Sequence, residues 1–514
     1  MLLLLLFAAS TLLVVYLRWN YTHWQRKGFP YIEAKTPLGV LHSVAKRQRS
    51  FGMALYDAYI SSKEKVIGIY LLTRPALLVR DAQLARDVMT KDFNSFHDRG
   101  IYVNEEKDPM SANLFALNGS KWKTLRTKLA PSFTSGKLKG MFSTIEETSY
   151  RMINHLNNTL PDNGSAEVEL KEIFSTYAVD IIASVIFGLE TNSFEDPNNL
   201  FLSVSHKANE PTLKAVLRST CQFLYPNLEK FFVMLGWTEE APETMKKIVR
   251  KTVEHREKNN VSRRDMLQLL LQLRNTGKIN TDDNEWSVET SVGAFKSMSV
   301  ELIAAQLFLF YVAGYETTAS TVAFTIYELS QYPELLAKAK KDVEETLRKY
   351  EGKLSYECVQ DMKFLDLCVM ETIRKYPGLP ILNRECTEDY QIPDSKMVIK
   401  KGTAIIISLF GMHRDPEYFP DPMRYDPERF LEENMNYNSV AYMPFGEGPR
   451  HCIAQRMGRL NAKVAIAQIL TNFDIELREN YCEIEIDNFG IPILPKGGVN
   501  VRLSKKKQNT VTKV

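Results

Sequence analysis

The chain has 514 residues, of which 44% are apolar and 25% charged, with a formal net charge of +3; this is the composition of a globular protein with a sizeable core, not of a disordered or fibrous chain. No basic run is interleaved with aromatics, so nucleic acid is not a suggested partner. Six cysteines (Cys221, Cys358, Cys368, Cys386, Cys452, Cys482) are too few and too scattered for a disulfide framework and none sits in a CxxC pair, which fits a reducing, cytosol-facing setting.

Met1 to Leu17 is almost unbroken apolar sequence, and the first charges are Arg18, Arg26 and Lys27. At about 1.5 Å per residue this run reaches across a hydrocarbon core of about 30 Å when Trp19 and Tyr21 sit at its edge. A cleaved signal peptide would want a positive residue before the run and a small-x-small site after it, and neither is present. Residues 1–20 therefore read as one N-terminal transmembrane anchor. The positive flank leaves the remainder in the cytosol, with the endoplasmic reticulum as the expected membrane. Gly28, Pro30, Pro37 and Gly39 make 21–45 a hinge.

Val66 to Leu72 and Ala76 to Val79 read as short strands. After them helical spacing dominates, through Trp122 to Leu129, Tyr177 to Phe187, Asp265 to Leu273, Pro333 to Arg348 and Phe364 to Lys375. The fold class is mainly α, with small β-sheets early and late. The longest helix runs from about Ser299 to Gln331, and the consecutive Leu307 to Val312 imply burial on all sides. Glu301, Gln306, Glu316 and Glu328 argue against a second membrane span. Within it, Ala313-Gly314-Tyr315-Glu316-Thr317-Thr318 interrupts the bulky run, although a mid-helix glycine costs about 1 kcal/mol. A helix-packing glycine with threonines bonded back to the backbone explains this patch as well as a functional reading does.

Glu371 and Arg374 lie one turn apart, a pairing common on solvated helices, and Arg429 follows in Pro427-Glu428-Arg429-Phe430. Then comes Phe445-Gly446-Glu447-Gly448-Pro449-Arg450-His451-Cys452. Two glycines and a proline force a tight loop that delivers Cys452 to the start of a helix, where the dipole and free N–H groups favour a thiolate. Alone, such a cysteine is better explained as a buried free thiol. The histidines show no HExxH, and His413 and His451 read as local hydrogen-bonding groups. No GxGxxG or Walker pattern appears, which places nicotinamide and flavin on a partner protein. Residues 505–514 read as a disordered basic tail.

The segment Phe445 to Cys452 resembles the haem-binding signature of cytochromes P450: phenylalanine, two residues, glycine, one residue, arginine, one residue, cysteine. Ala454 departs from it, since many members have glycine there. The resemblance implies a haem (iron protoporphyrin IX) with Cys452 as axial thiolate and metal ligand and Phe445 beside the sulfur. It also implies that Arg450, Trp122, Arg126 and Arg384 meet the propionates. Ala313 and Gly314 would let the long helix pass over the haem and leave a groove for dioxygen. Thr317 and Glu316 take the proton-delivery positions, and Glu371, Arg374 and Arg429 form a buried charge triad.

Trp24 to Pro30, Asp92 to Gly100 and Lys375 to Pro380 extend the similarity to insect microsomal members of family six, near the fly D subfamily. Residues 46–504 are thus expected to be a P450 haem domain. The implied activity is monooxygenation of lipophilic compounds, xenobiotics such as plant toxins and insecticides or endogenous lipids. NADPH acts only indirectly, through NADPH-cytochrome P450 reductase, with cytochrome b5 as a further partner. Lys121, Lys123 and Lys128 are candidate reductase contacts. Phe115, Phe223, Phe308, Leu379, Ile381 and Ile493 are the expected pocket lining. A peroxide isomerase of this fold commonly lacks the acid-alcohol pair, and a haem carrier needs none, so Glu316 and Thr317 favour the monooxygenase.

Overall fold

Capping fixes where many of the helices begin. Ser50, Asp81, Thr134, Asp265, Ser299 and Ser355 each stand ahead of a helix and accept a backbone N–H from its first turn, pairing a donor that has no partner inside the helix. The computed structural model describes residues 1–209, 212–236, 239–279, 298–477 and 484–506. The central element is the helix Val300–Gln331, about 48 Å long at 1.5 Å per residue. It stops because Tyr332, with φ −123° and ψ 86°, precedes Pro333, and a proline holds the residue before it out of the helical region. Between Val300 and Ser330 only Ala313 is exposed. Helices Leu170–Phe187, Glu240–Asn259, Lys363–Lys375 and Gln455–Asn472 pack against it, and together they form the larger apolar core.

A second core surrounds a four-stranded sheet of β1 (Val66–Leu71), β2 (Arg74–Val79), β7 (Ala404–Ser408) and β4 (Ile381–Glu385), in that spatial order. Three other strands, β3 (Ser165–Glu169), β8 (Phe473–Leu477) and β9 (Asn500–Lys505), form a second sheet with β9 in the centre. The pair β5 (Tyr390–Gln391) and β6 (Val398–Ile399) forms a third. β4 lies antiparallel to β7 with Arg384 opposite Ile405, so the sheet fixes the height at which Arg384 stands. Mainly α with small early and late sheets is thus what the chain forms.

The helix Leu2–Tyr21 projects Leu3, Leu4, Phe7, Leu12 and Trp19 into open surroundings, and its length and apolarity suffice to cross a bilayer. Two boundary expectations change. Residues 21–45 do not form a free hinge: Trp24, Phe29 and Leu41 are buried in the second core. Trp24 Nε1 donates to Ile69 O at 3.0 Å, and Ile32 N and Val40 N donate to the carbonyls of Gly68 and Tyr70. The apolar residues between the glycines and prolines are what dock this stretch onto β1. The basic tail does not begin at Lys505, which closes β9 and pairs with Asp162 at 2.6 Å, while Lys506 pairs with Glu344 at 3.0 Å. Lys507 and the residues beyond it lie outside the described residues, as does Cys482. The five described cysteines are free thiols.

Candidate active site

Three backbone bonds shape the cysteine loop. Gly446 N donates to Met443 O, His451 N to Gly448 O and Cys452 N to Phe445 O, at 2.8–3.1 Å. Gly446 and Gly448 adopt φ of +70° and +67°, and at Gly448 an added Cβ would lie 1.9 Å from Met89 O. Glycine is therefore required there on two counts. Cys452 ends this loop three residues ahead of the helix Gln455–Asn472. Cys452 itself is exposed. Burial pushes its thiol pKa up, opposed by the Ala454 N–H, Arg126 and Arg99. The helix start alone does not make it a thiolate. A metal cation that displaces the proton does.

Around this sulfur stands a cluster of arginines. Burial drives Arg384 down to about 10, and burial with Arg384 and Arg126 drives Arg450 down to about 9. Arg99 is lowered well below its ordinary value by burial, then by Arg384 and Arg450. The nearby carboxylate is Asp98, 3.5 Å from Arg450, and the Nε atoms of Arg99 and Arg384 are buried without a hydrogen-bond partner. An uncompensated buried cation costs several kcal/mol, so the cluster lacks negative charge. A porphyrin with two propionates beside the sulfur supplies it, and the residues present fit a haem.

Individual placements refine the sequence reading. Arg450 donates to His97 O (2.5 Å), Phe115 O (3.4 Å) and Leu117 O (2.7 Å), so much of its fork ties the loop to neighbouring backbone. Trp122 is buried beneath it, with the Arg450 guanidinium 4.2 Å from its ring centre; in this arrangement it carries Arg450 by a cation–π contact. Arg126 reaches His451 Nε2 at 3.3 Å. Arg99, which sequence reasoning missed, exchanges hydrogen bonds with Asn383 on β4 and lies over Phe115. No spacing marks a lone loop arginine; only the fold brings it beside Arg384.

On the long helix, Ala313 and Thr317 lie one turn apart on the uncovered face. Thr317 Oγ1 donates to Ala313 O at 2.7 Å. Two companions meet the helix Leu170–Phe187. At Gly314 an added Cβ would meet Ile182 Cδ1 at 2.9 Å, so this glycine admits that helix. Glu316 is buried and pairs with Lys171 of that same helix at 2.6 Å, with Ser320 donating to it at 3.2 Å. One residue on an α-helix is about 100° of rotation, which separates Glu316 from Thr317.

Beneath lies Glu371, fully buried, with Arg374 on it twice (2.7 and 2.9 Å), Arg429 Nε at 3.1 Å and Asp426 N at 3.0 Å. Arg374 also donates to His413 O and Pro422 O, and Arg429 to Pro420 O. Of the expected pocket residues, the Phe115 and Phe223 rings meet at 6.5 Å, Phe308 and Ile381 are half-buried and Leu379 is 37% exposed. Ile493 is instead core, 1% exposed among Phe324, Tyr376 and Phe410. His451 bonds locally to Gly448 O, whereas His413 bonds to the distant Arg374 O and accepts from Met443 N.

Comparison with known proteins agrees with this geometry. The family model for cytochrome P450 matches residues 35–499. The protein named "Probable cytochrome P450 6d5" of Drosophila melanogaster is 60% identical, over 98% of this chain and 99% of its own length. "Cytochrome P450 6d1" of Musca domestica is 53% identical over 98% and 100%, and "Cytochrome P450 6k1" of Blattella germanica 37% over 92% and 91%.

Proposed function

The chain belongs to the cytochrome P450 family, in the D subfamily of insect family six, and is a haem-thiolate monooxygenase; on that footing we propose what its residues do, what it oxidises and where. The buried arginine cluster beside the exposed Cys452 is the observation that carries the residue assignments. Bound haem would supply dioxygen activation, with the Cys452 thiolate donating electron density to it. Cys452 is that ligand, held by the Gly446–Gly448 loop. Arg99, Arg126 and Arg384 hold the propionates, with Arg450 seated on Trp122 completing the positive field.

Thr317 spends its proton on Ala313 O, which leaves its oxygen lone pairs to accept from a water and to order that water in the groove. Glu316 exchanges protons with that face only when its bond to Lys171 loosens. The Glu371, Arg374 and Arg429 triad fixes the segment that leads into the cysteine loop.

The substrates we propose are lipophilic small molecules, xenobiotics among them, received by Phe115, Phe223, Phe308, Leu379 and Ile381. Electrons come from NADPH through the reductase, with cytochrome b5 as a second donor. They arrive on the side where Met370, Tyr442, Phe445, His451 and Arg459 line a cleft of about 370 Å³. Of the three lysines, Lys121 pairs with Glu105 and Lys128 donates to Gly277 O, which leaves Lys123 as the stronger docking candidate. The N-terminal helix holds the protein in the endoplasmic reticulum membrane, and its positive flank sets the haem domain in the cytosol. The test is Cys452→Ala: the thiolate-type absorption of the ferrous-carbonyl form is lost, and its persistence would overturn the ligand assignment.

A further inference from the structure

The chain that leaves the helix Lys363–Lys375 is pinned at both ends. Tyr376 takes φ −131° and ψ 69° ahead of Pro377, a proline that keeps it from continuing the helix. Tyr376 N still donates to Thr372 O at 2.7 Å, and Arg414 donates through Nε and Nη2 to Lys375 O at 3.1 and 2.8 Å. The Tyr376 ring stacks on Phe324 with centres 4.2 Å apart. Its hydroxyl donates to Glu328 Oε1 at 2.6 Å, where Lys375 Nζ also binds at 2.8 Å. Farther along, Pro380 O accepts from Phe410 N at 3.0 Å, and an added Cβ on Gly52 would lie 2.3 Å from Pro380 Cγ.

Phe324 and Glu328 follow Thr317 on the long helix by seven and eleven residues, about two and three turns, so the three share a face. Residues 376–380 run back along that face and meet Thr317 at Gly378. There an added Cβ would lie 3.2 Å from Thr317 Cγ2 and 3.3 Å from Thr317 Cβ. Gly378 is not among the residues with positive φ, so its backbone would accept a side chain; what the glycine supplies is room. In a helix a threonine divides between two χ1 wells, since its hydroxyl can reach a preceding carbonyl. The bond from Thr317 Oγ1 to Ala313 O therefore does not by itself decide where the oxygen lone pairs point. Packing from outside the helix must.

We propose that Gly378 is a positioning residue for Thr317: the space it leaves seats the threonine methyl, and this selects the χ1 well in which the hydroxyl meets Ala313 O and turns its lone pairs to the groove. The proposal rests on the role given to Thr317 above. Phe324, Glu328, Arg414 and Phe410 hold the 376–380 segment where it is. A methyl group added at 378 therefore displaces the threonine side chain more readily than it displaces the segment.

The experiment uses full-length haem-loaded protein in phosphatidylcholine nanodiscs, in the ferrous-carbonyl form, with isotope-labelled threonine methyls for NMR and carbon monoxide as the infrared probe of the groove. The Thr317 methyl signal is the one that Thr317→Ser removes. Gly378→Ala is expected to move that signal, with the second χ1 well favoured by about fivefold or more, the low end of what overpacking a fixed site does. It also displaces the C–O stretching band. In the Thr317→Ser background the nearer of the two contacts is gone, and Gly378→Ala moves the band less. If Gly378→Ala alone loads no haem, the same change combined with Thr317→Ser is expected to load it, and failure of both overturns the proposal. An unmoved methyl signal, or an equal band shift in the threonine and serine backgrounds, overturns it too. Failure of the underlying reading is distinct: Thr317→Val, which removes the hydroxyl, would then leave the C–O band where the wild type has it.

Discussion

Glu371→Gln tests the buried triad of Glu371, Arg374 and Arg429. In the wild-type chain one carboxylate is shared by Arg374 and Arg429 and accepts four N–H groups, counting Asp426 N. The net charge of the cluster is +1, and the second guanidinium is offset by the carbonyls of His413, Pro420 and Pro422. The amide raises that to +2 in a region where both Glu371 and Arg374 are 0% exposed, and its NH₂ faces arginine donors. Removing one member of a buried ion pair costs about 3–5 kcal/mol, against a total margin of about 5–15 kcal/mol. The expected result is a sharply lower urea midpoint and a small fraction of protein giving the thiolate-type ferrous-carbonyl spectrum. Glu371→Asp, which keeps the charge, recovers part of both. A Glu371→Gln unfolding free energy within about 0.5 kcal/mol of wild type would refute the reasoning.

Arg384→Leu removes a buried cation with an unpartnered Nε; haem-free protein should be as stable or about 1–3 kcal/mol more so, while haem passes to apomyoglobin at least about tenfold faster. Equal loss of stability and haem would count against the cradle. Gly448→Ala and Gly314→Ala separate two glycines: the first sets a Cβ 1.9 Å from Met89 O at φ +67° and should cost about 2 kcal/mol or more with loss of the thiolate-type spectrum. The second meets only the tip of Ile182 and gains about 1 kcal/mol of helix propensity, so stability and NADPH coupling should stay near wild type. His413 is held down to about 3 by burial and by Arg374. Unfolded histidine titrates near 6.5, so the unfolded state binds the extra proton between those values and stability falls as pH drops below about 6.5. From pH 7.5 to 5.5 the loss is about 1 kcal/mol, read as a urea-midpoint difference that His413→Gln abolishes.

Much of the fold was legible because its signals are local. Helical spacing in Pro333 to Arg348 became Pro333–Lys349, and the pair of early strands became β1 and β2. The end of the long helix was written in Pro333. What local signals could not supply was docking. The prolines and glycines of residues 21–45 read as a joint, yet Trp24, Phe29 and Leu41 pin that stretch to β1. Ile493 looked like a wall of the pocket because it is apolar and close in the family order, but it packs on Phe324, Tyr376 and Phe410, residues distant in sequence. Burial against remote elements leaves no periodic trace in a short irregular segment.

The site shows the same division within a single motif. The tight turn before Cys452 was legible in its two glycines and proline, but the reading of that cysteine as a haem ligand rests on the resemblance of Phe445 to Cys452 to the P450 signature. Ala313 to Thr318 was legible only as a patch, since consecutive residues of a helix point about 100° apart and the letters do not say which face a neighbour occupies. Lys171 takes Glu316 and Ile182 takes the space above Gly314, both from the helix Leu170–Phe187. Ala313 and Thr317 stay on the uncovered face. Under the proposed proton delivery, Thr317 would then serve that face and Glu316 only when its pair with Lys171 opens. Arg99 makes the complementary point: charge balance is a property of a volume, and it took the approach of Arg99, Arg384 and Arg450 to one another to show that this volume holds more positive charge than Asp98 offsets.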